Sequence, residues 1–114
     1  MSNVTELVEG LDAMLDHMRA DYAQWSDLGD DPNGTRARMT EEYSASLRYS
    51  MGKKYVKVTD GSSVKAFVVA CEDDKKFQYG DVLKPAGWRT PARNFRRGNV
   101  LDRTFDRVRW TGAL

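Results

Sequence analysis

Between Val4 and Trp25 the apolar residues Val4, Val8, Leu11, Leu15, Met18, Tyr22 and Trp25 recur in alternating steps of four and three, with Leu7 and Met14 widening the stripe. A helix, with 3.6 residues per turn, brings that spacing onto one side. The pattern predicts an amphipathic helix over Val4 to Trp25 that has to bury one face. Asn3 can cap its start, and Glu6 three residues later completes the reciprocal capping pattern. The polar face carries Glu6, Glu9, Asp12, Asp16 and Asp21, so acidity is concentrated on one element. Two partners can cover the stripe. One is the chain's own domain. The other is a second copy, because the steps also fit a three-heptad seam through Val8, Leu11, Leu15, Met18, Tyr22 and Trp25.

The turn formers from Ser26 to Gly34 end this helix. Thr35 can cap a shorter one through about Ser46, with Met39, Tyr43 and Leu47 on one side. From Lys53 the period changes to two. Lys54-Tyr-Val-Lys-Val-Thr59 alternates, Asp60-Gly61 signals a hairpin, and Ser63 to Cys71 is apolar on both sides, as a central strand would be. Glu72 to Lys76 reads as a charged turn, and Phe77 to Lys84 as a turn followed by a short strand that Pro85 and Gly87 break. Thr90, Pro91 and Gly98 punctuate the next segment as the cap, first position and end of a short helix. Asn99 to Leu101 and Arg107 to Thr111 supply two more strands, the latter with Val108 and Trp110 inward and Arg107 and Arg109 outward.

These elements predict an α+β fold: a long N-terminal amphipathic helix laid across a small, strongly bent antiparallel β-sheet or partly open barrel. At 114 residues there is room for one domain. Residues 1–34 form an acidic helix and loop, and residues 35–114 a small α+β portion with a basic C-terminal face, the two making one folded unit. Cys71 is the single cysteine, too few for a disulfide-stapled secreted domain. The N-terminus lacks the basic and apolar regions of a signal peptide, and no window approaches the roughly 20 apolar residues of a membrane span. A cytoplasmic protein without a membrane partner is expected.

Catalytic chemistry finds little support. His17 is the one histidine and lies beside the helical stripe; Cys71 lies in an apolar strand; neither has a companion that would make it a base or a nucleophile. Two Cys and His residues in all are too few for a zinc site, and the carboxylates from Asp27 to Asp31 lack calcium-loop spacing. No glycine-rich phosphate cradle occurs. The reading is a non-enzymatic chain with no metal and no cofactor.

The formal net charge of +1 hides a strong asymmetry. Residues 1–50 carry ten acidic and four basic side chains, whereas residues 51–114 carry seven acidic and fourteen basic. Between Lys84 and Arg109 stand Lys84, Arg89, Arg93, Arg96, Arg97, Arg103, Arg107 and Arg109, against Asp102 and Asp106. Guanidinium forks suit phosphate, and the interleaved Trp88, Phe95, Phe105 and Trp110 offer rings on which bases stack. Trp88, Arg89, Arg93, Arg96, Arg97, Arg107 and Arg109 are the candidate nucleic-acid contacts, and a helix start at Thr90-Pro91 would add an anion-binding end. The plain alternative is that these rings belong to the core and the arginines pair with the acidic first helix.

The string from Tyr79 to Leu101, with Trp88-Arg-Thr-Pro-Ala-Arg-Asn94 and Arg97-Gly-Asn99 inside it, followed by Trp110-Thr-Gly112, resembles a set of short accessory proteins of tailed bacteriophages. The resemblance covers roughly the last sixty residues. It implies a viral protein acting in the bacterial host cytoplasm and carries over no functional residues. Two functions are compatible with these readings: binding of nucleic acid or another polyanion by the C-terminal arginine and aromatic face, or a protein-interaction module that modulates a host or viral complex.

Overall fold

A computed structural model describes residues 4–26, 35–61 and 63–114. The Asn3 cap, the turn-forming run at residues 27–34 and the Trp25 and Thr35 side chains lie outside this description. Helix α1 spans Val4–Ser26 and α2 spans Thr35–Ser46, followed by strands β1 Leu47–Met51, β2 Tyr55–Asp60, β3 Ser63–Val69, β4 Asp81–Leu83 and β5 Gly98–Asn99. These five strands form one antiparallel sheet in chain order, with β3 at its centre, and the sheet does not close into a barrel. A two-stranded ribbon, β6 Val108–Arg109 and β7 Gly112–Ala113, completes the chain. The fold is α+β.

Alternation along the strands sorts side chains onto two faces. In β2, Val56 and Val58 point one way while Tyr55 and Lys57 point the other, and the register sets Val56 opposite Val68 and Lys57 opposite Phe67. The inner face, with Val56, Val58, Ala66, Val68 and Val82, packs against Leu7, Leu11, Met14, Leu15, Met18 and Tyr22 of α1. The outer face carries a smaller cluster of Phe67, Val69, Phe77 and Leu83.

The α1 stripe is therefore covered by the chain's own sheet. Leu11, Leu15, Met18 and Tyr22 are each at most 5% exposed, and Val8 is half-buried. They cannot also form a seam with a second copy while this core is intact. Val4, in the first turn, remains exposed, so the buried line is centred on Leu7, Leu11, Met14 and Met18. Gly10 lies on this face because α1 passes close to the Val100 backbone, where a Cβ would stand 2.5 Å from the Val100 carbonyl oxygen. Among the described residues no helix is long and apolar enough to cross a membrane.

One predicted element is corrected. Residues 90–98 form no helix. The Thr90 carbonyl accepts hydrogen bonds from the Ala86 and Gly87 amides, Pro91 bridges to Pro85, and the Arg97 amide donates to the Val82 carbonyl of β4. Thr90 thus closes a turn where it was expected to cap a helix, and the chain after it stays extended to reach the sheet. The helix N-terminus expected there as an anion site does not exist.

Candidate nucleic-acid interface

Residues 84–92 fold back on themselves beside the outer face of the sheet. The Ala92 amide donates to the Lys84 carbonyl at 2.7 Å, and the Ala86 and Gly87 amides donate to the Thr90 carbonyl at 2.8 and 3.0 Å. With Pro85 bridged to Pro91, and both rings fixing their own backbone angles, the result is a narrow loop with Gly87, Trp88 and Arg89 at its tip. All three are exposed. The Trp88 ring is 50% exposed, and the Lys57 ammonium lies over it at 4.4 Å from its centroid. That ammonium is also 6.0 Å from the Phe67 ring, so strand β2 supplies a cation that steadies the tryptophan from below.

The base of the loop is braced by Arg93. Its Nη1 and Nη2 donate to Asp74 Oδ2 and Oδ1, both at 2.9 Å, and Nη1 also donates to the Tyr55 hydroxyl at 2.6 Å. The Phe77 ring lies 4.9 Å from the guanidinium carbon. The Asp74 side chain is only 1% exposed and accepts two further hydrogen bonds, from the Lys76 and Phe77 amides. The Arg93 bonds, then these amides, hold the Asp74 carboxyl well below the usual carboxylate range. Asp74 in turn raises the Arg93 guanidinium above its ordinary value. Lys76 Nζ donates to the Arg93 carbonyl. Arg93 is thus a brace for the loop, with both of its terminal nitrogens bonded within the chain.

The other predicted contacts are dispersed. Arg89 stands at the loop tip. Arg96, half exposed, pairs at 3.1 Å with the buried Asp81, which also accepts from the Gln78 amide and the Asn99 side chain, both at 2.8 Å. Arg97 is buried: it donates to Asn94 Oδ1, the Phe95 carbonyl and the Leu114 main-chain oxygen, and lies 3.9 Å from the Phe95 centroid. Burial lowers its guanidinium from the ordinary value, and Arg107 lowers it further. Arg107 lies 5.4 Å from the same Phe95 ring, which is 46% exposed. Arg109 lies 3.9 Å from Asp21 of α1.

The arginine block therefore finds its close carboxylates in Asp74 and Asp81, both in the C-terminal half of the chain. Arg109 also reaches Asp21 of α1, at 3.9 Å. Three of the arginines engage carboxylates, Arg97 is buried, Arg107 is exposed beside Phe95, and Trp88 and Arg89 stand exposed at the loop tip.

Lysines that the sequence reading left aside join this surface. Lys54 and Lys76 lie 5.5 Å from the Tyr55 and Phe77 rings, and Lys53, Lys54 and Lys75 line an open cleft of about 500 Å³ with Cys71, Asp73, Asp74 and Arg93. The alternation in β2 carried the signal for Lys57, because it sets this residue on the face opposite Val56 and Val58. Burial, then the hydrogen bond and charge of Asp73, raise the Cys71 thiol above its ordinary value, which disfavours the thiolate. Among the described residues no group of three or more His, Cys, Asp or Glu side chains is placed to hold a metal.

Residues 2–114 match DUF7717, a family of unknown function. The chain belongs to that family. No curated protein and no solved structure matches it. Nearly the whole DUF7717 chain is covered by the match, including α1, the sheet, the loop with Trp88 at its tip and the Arg93 to Asp74 brace. Chemically, the loop offers a half-exposed indole with the Lys57 ammonium over its ring and the exposed Arg89 next to it in the chain, on a backbone held by hydrogen bonds at its neck. Such a device can stack on a flat ring while the cations meet an adjacent negative charge.

Proposed function

We propose that this DUF7717 chain is a non-enzymatic accessory protein that binds nucleic acid, in single-stranded form, through the Trp88 loop and the lysines beside it. The observation that carries the reading is the Trp88 ring, half exposed at the tip of a braced loop, with Lys57 beneath it and Arg89 next to it. Single-stranded nucleic acid presents unpaired base faces next to phosphates, and stacking contributes about 1–3 kcal/mol per base. Lys53, Lys54, Lys75 and Lys76 extend the positive surface along the same face of the sheet. The resemblance to phage accessory proteins supports the bacterial host cytoplasm as the setting.

The test is fluorescence anisotropy of a labelled single-stranded oligonucleotide at rising salt. Affinity is expected to fall linearly on a double-logarithmic plot, with a slope of about −0.7 per neutralised phosphate. Trp88→Ala should weaken binding at every salt concentration. Absence of binding at low salt would remove this reading.

A second reading, a protein-interaction module, draws on the outer side of α1. Glu9, Asp12 and Asp16 are exposed there, Asp16 by 76%, and they do not pair with the C-terminal arginines. Recovery of a stoichiometric partner after nuclease treatment, lost on charge reversal at Asp12 and Asp16, would favour it.

A further inference from the structure

On the other side of the sheet, His17 of α1, Arg103, Phe105 and Asp106 of the turn after β5, and Arg109 of β6 line an open cleft of about 370 Å³. We infer that this cleft binds a phosphate-type oxyanion between the Arg103 and Arg109 guanidinium groups, with His17 and Phe105 as its wall. The inference stands apart from the Trp88 reading.

Counting donors carries the argument. A guanidinium has five N–H donors. Arg103 gives one nitrogen to the Val100 carbonyl at 2.6 Å and is otherwise exposed. Arg109 is 55% exposed, and its ion pair with Asp21 is loose at 3.9 Å, because the other Asp21 oxygen accepts the Trp110 amide at 2.9 Å. Asp106 is the one carboxylate lining the cleft. Two arginine forks from separate elements therefore share the cleft with one lining acid, Asp106, while Asp21 meets only Arg109 of the two, at 3.9 Å.

A tetrahedral oxyanion presents three or four oxygens to two forks that approach from separate elements, a geometry that suits phosphate. The backbone adds a second sign. Arg103 has φ 57°, and it is the one non-glycine among the described residues with positive φ. That conformation costs roughly 1–2 kcal/mol for an L-residue, and such outliers gather where a side chain must be aimed. The His17 ring is fixed as well. Its Nε2–H donates to the Val108 carbonyl at 2.8 Å, and its centroid lies 5.2 Å from that of Phe105.

The sole histidine gives the experiment an unambiguous reporter. The His17 imidazole resonances are followed by NMR while inorganic phosphate replaces chloride at constant pH and ionic strength, and in a parallel titration with a 5′-phosphorylated dinucleotide. A saturable shift with either ligand supports the site, and the tighter one names the source of the phosphate. Arg103→Ala and Arg109→Ala should each weaken it at least tenfold, Asp106→Asn should tighten it, and Trp88→Ala should leave it unchanged. Should an alanine variant fail to fold, Arg103→Gln and Arg109→Gln take its place, keeping the length without the charge. A linear drift with no saturation, or equal affinity with and without the two arginines, overturns the inference.

Discussion

The Arg93 guanidinium and the Asp74 carboxylate meet fork to fork, both N–H···O distances being 2.9 Å, and this pair ties the base of the Trp88 loop to the turn before β4. Arg93→Met would leave a carboxylate that is 1% exposed with only its two amide donors. Because Arg93 itself is 36% exposed, the cost should fall below that of breaking a fully buried pair, at about 1–3 kcal/mol. Urea unfolding should show a lower midpoint at unchanged slope, and limited proteolysis should cut first within residues 84–92.

The same pair sets a pH dependence. The folded carboxyl lies below its unfolded value of about 3.9, so its stabilisation is complete above that value and is lost as pH falls through and below it. Asp74→Asn should therefore flatten the loss of stability on acidification from about pH 4 downward, measured as the urea midpoint against pH.

Tyr43 gives the mirror case. Its hydroxyl donates to the Trp110 carbonyl at 2.8 Å, and burial, followed by the charges of Asp60 and Asp21, raises it well above the usual phenol value. Stability from the neutral phenol is intact below about pH 10 and declines as pH rises above it. Tyr43→Phe should cost about 1 kcal/mol at neutral pH and should lessen the alkaline decline in melting temperature.

Gly10→Ala tests the contact between α1 and Val100. On an open helix surface this change stabilises by roughly 1 kcal/mol. Here the new Cβ would meet the Val100 carbonyl oxygen at 2.5 Å, so the helix has to shift, with a net loss of about 1–3 kcal/mol. The measured melting temperature should fall.

Trp88→Ala and the double change Lys57→Ala with Arg89→Ala separate binding from folding. All three side chains lie outside the main core, so stability should change by less than about 0.5 kcal/mol in each variant. The double variant should also make the salt slope for a single strand shallower by about 1.4, two phosphates at about 0.7 each.

The helices and the central strands were legible because their signals are local. Alternating steps of four and three residues gave α1, and the pairing of Asp60 with Ser63 around Gly61 follows the hairpin signal. Val108 is buried and Arg109 exposed, as the alternation around Trp110 required. The segment from Thr90 to Gly98 was misread because cap, proline and glycine signals fit a turn as well as a helix. What decided was the Thr90 carbonyl, engaged by Ala86 and Gly87.

The basic block was legible as composition but not as a surface. Spacing along the chain does not reveal that Asp74 reaches Arg93, nineteen residues later, or that Asp81 reaches Arg96. Those partners are set by how the loop returns over β4. Lys57 could have been placed from the period of β2, yet its position under Trp88 depends on the same return.

Because the Trp88 loop is braced against the outer face of the sheet and α1 is packed on the inner one, five strands act as a partition between them. The two sides of this small molecule can then diverge at different rates, each free to acquire or lose a binding partner with little disturbance to the other.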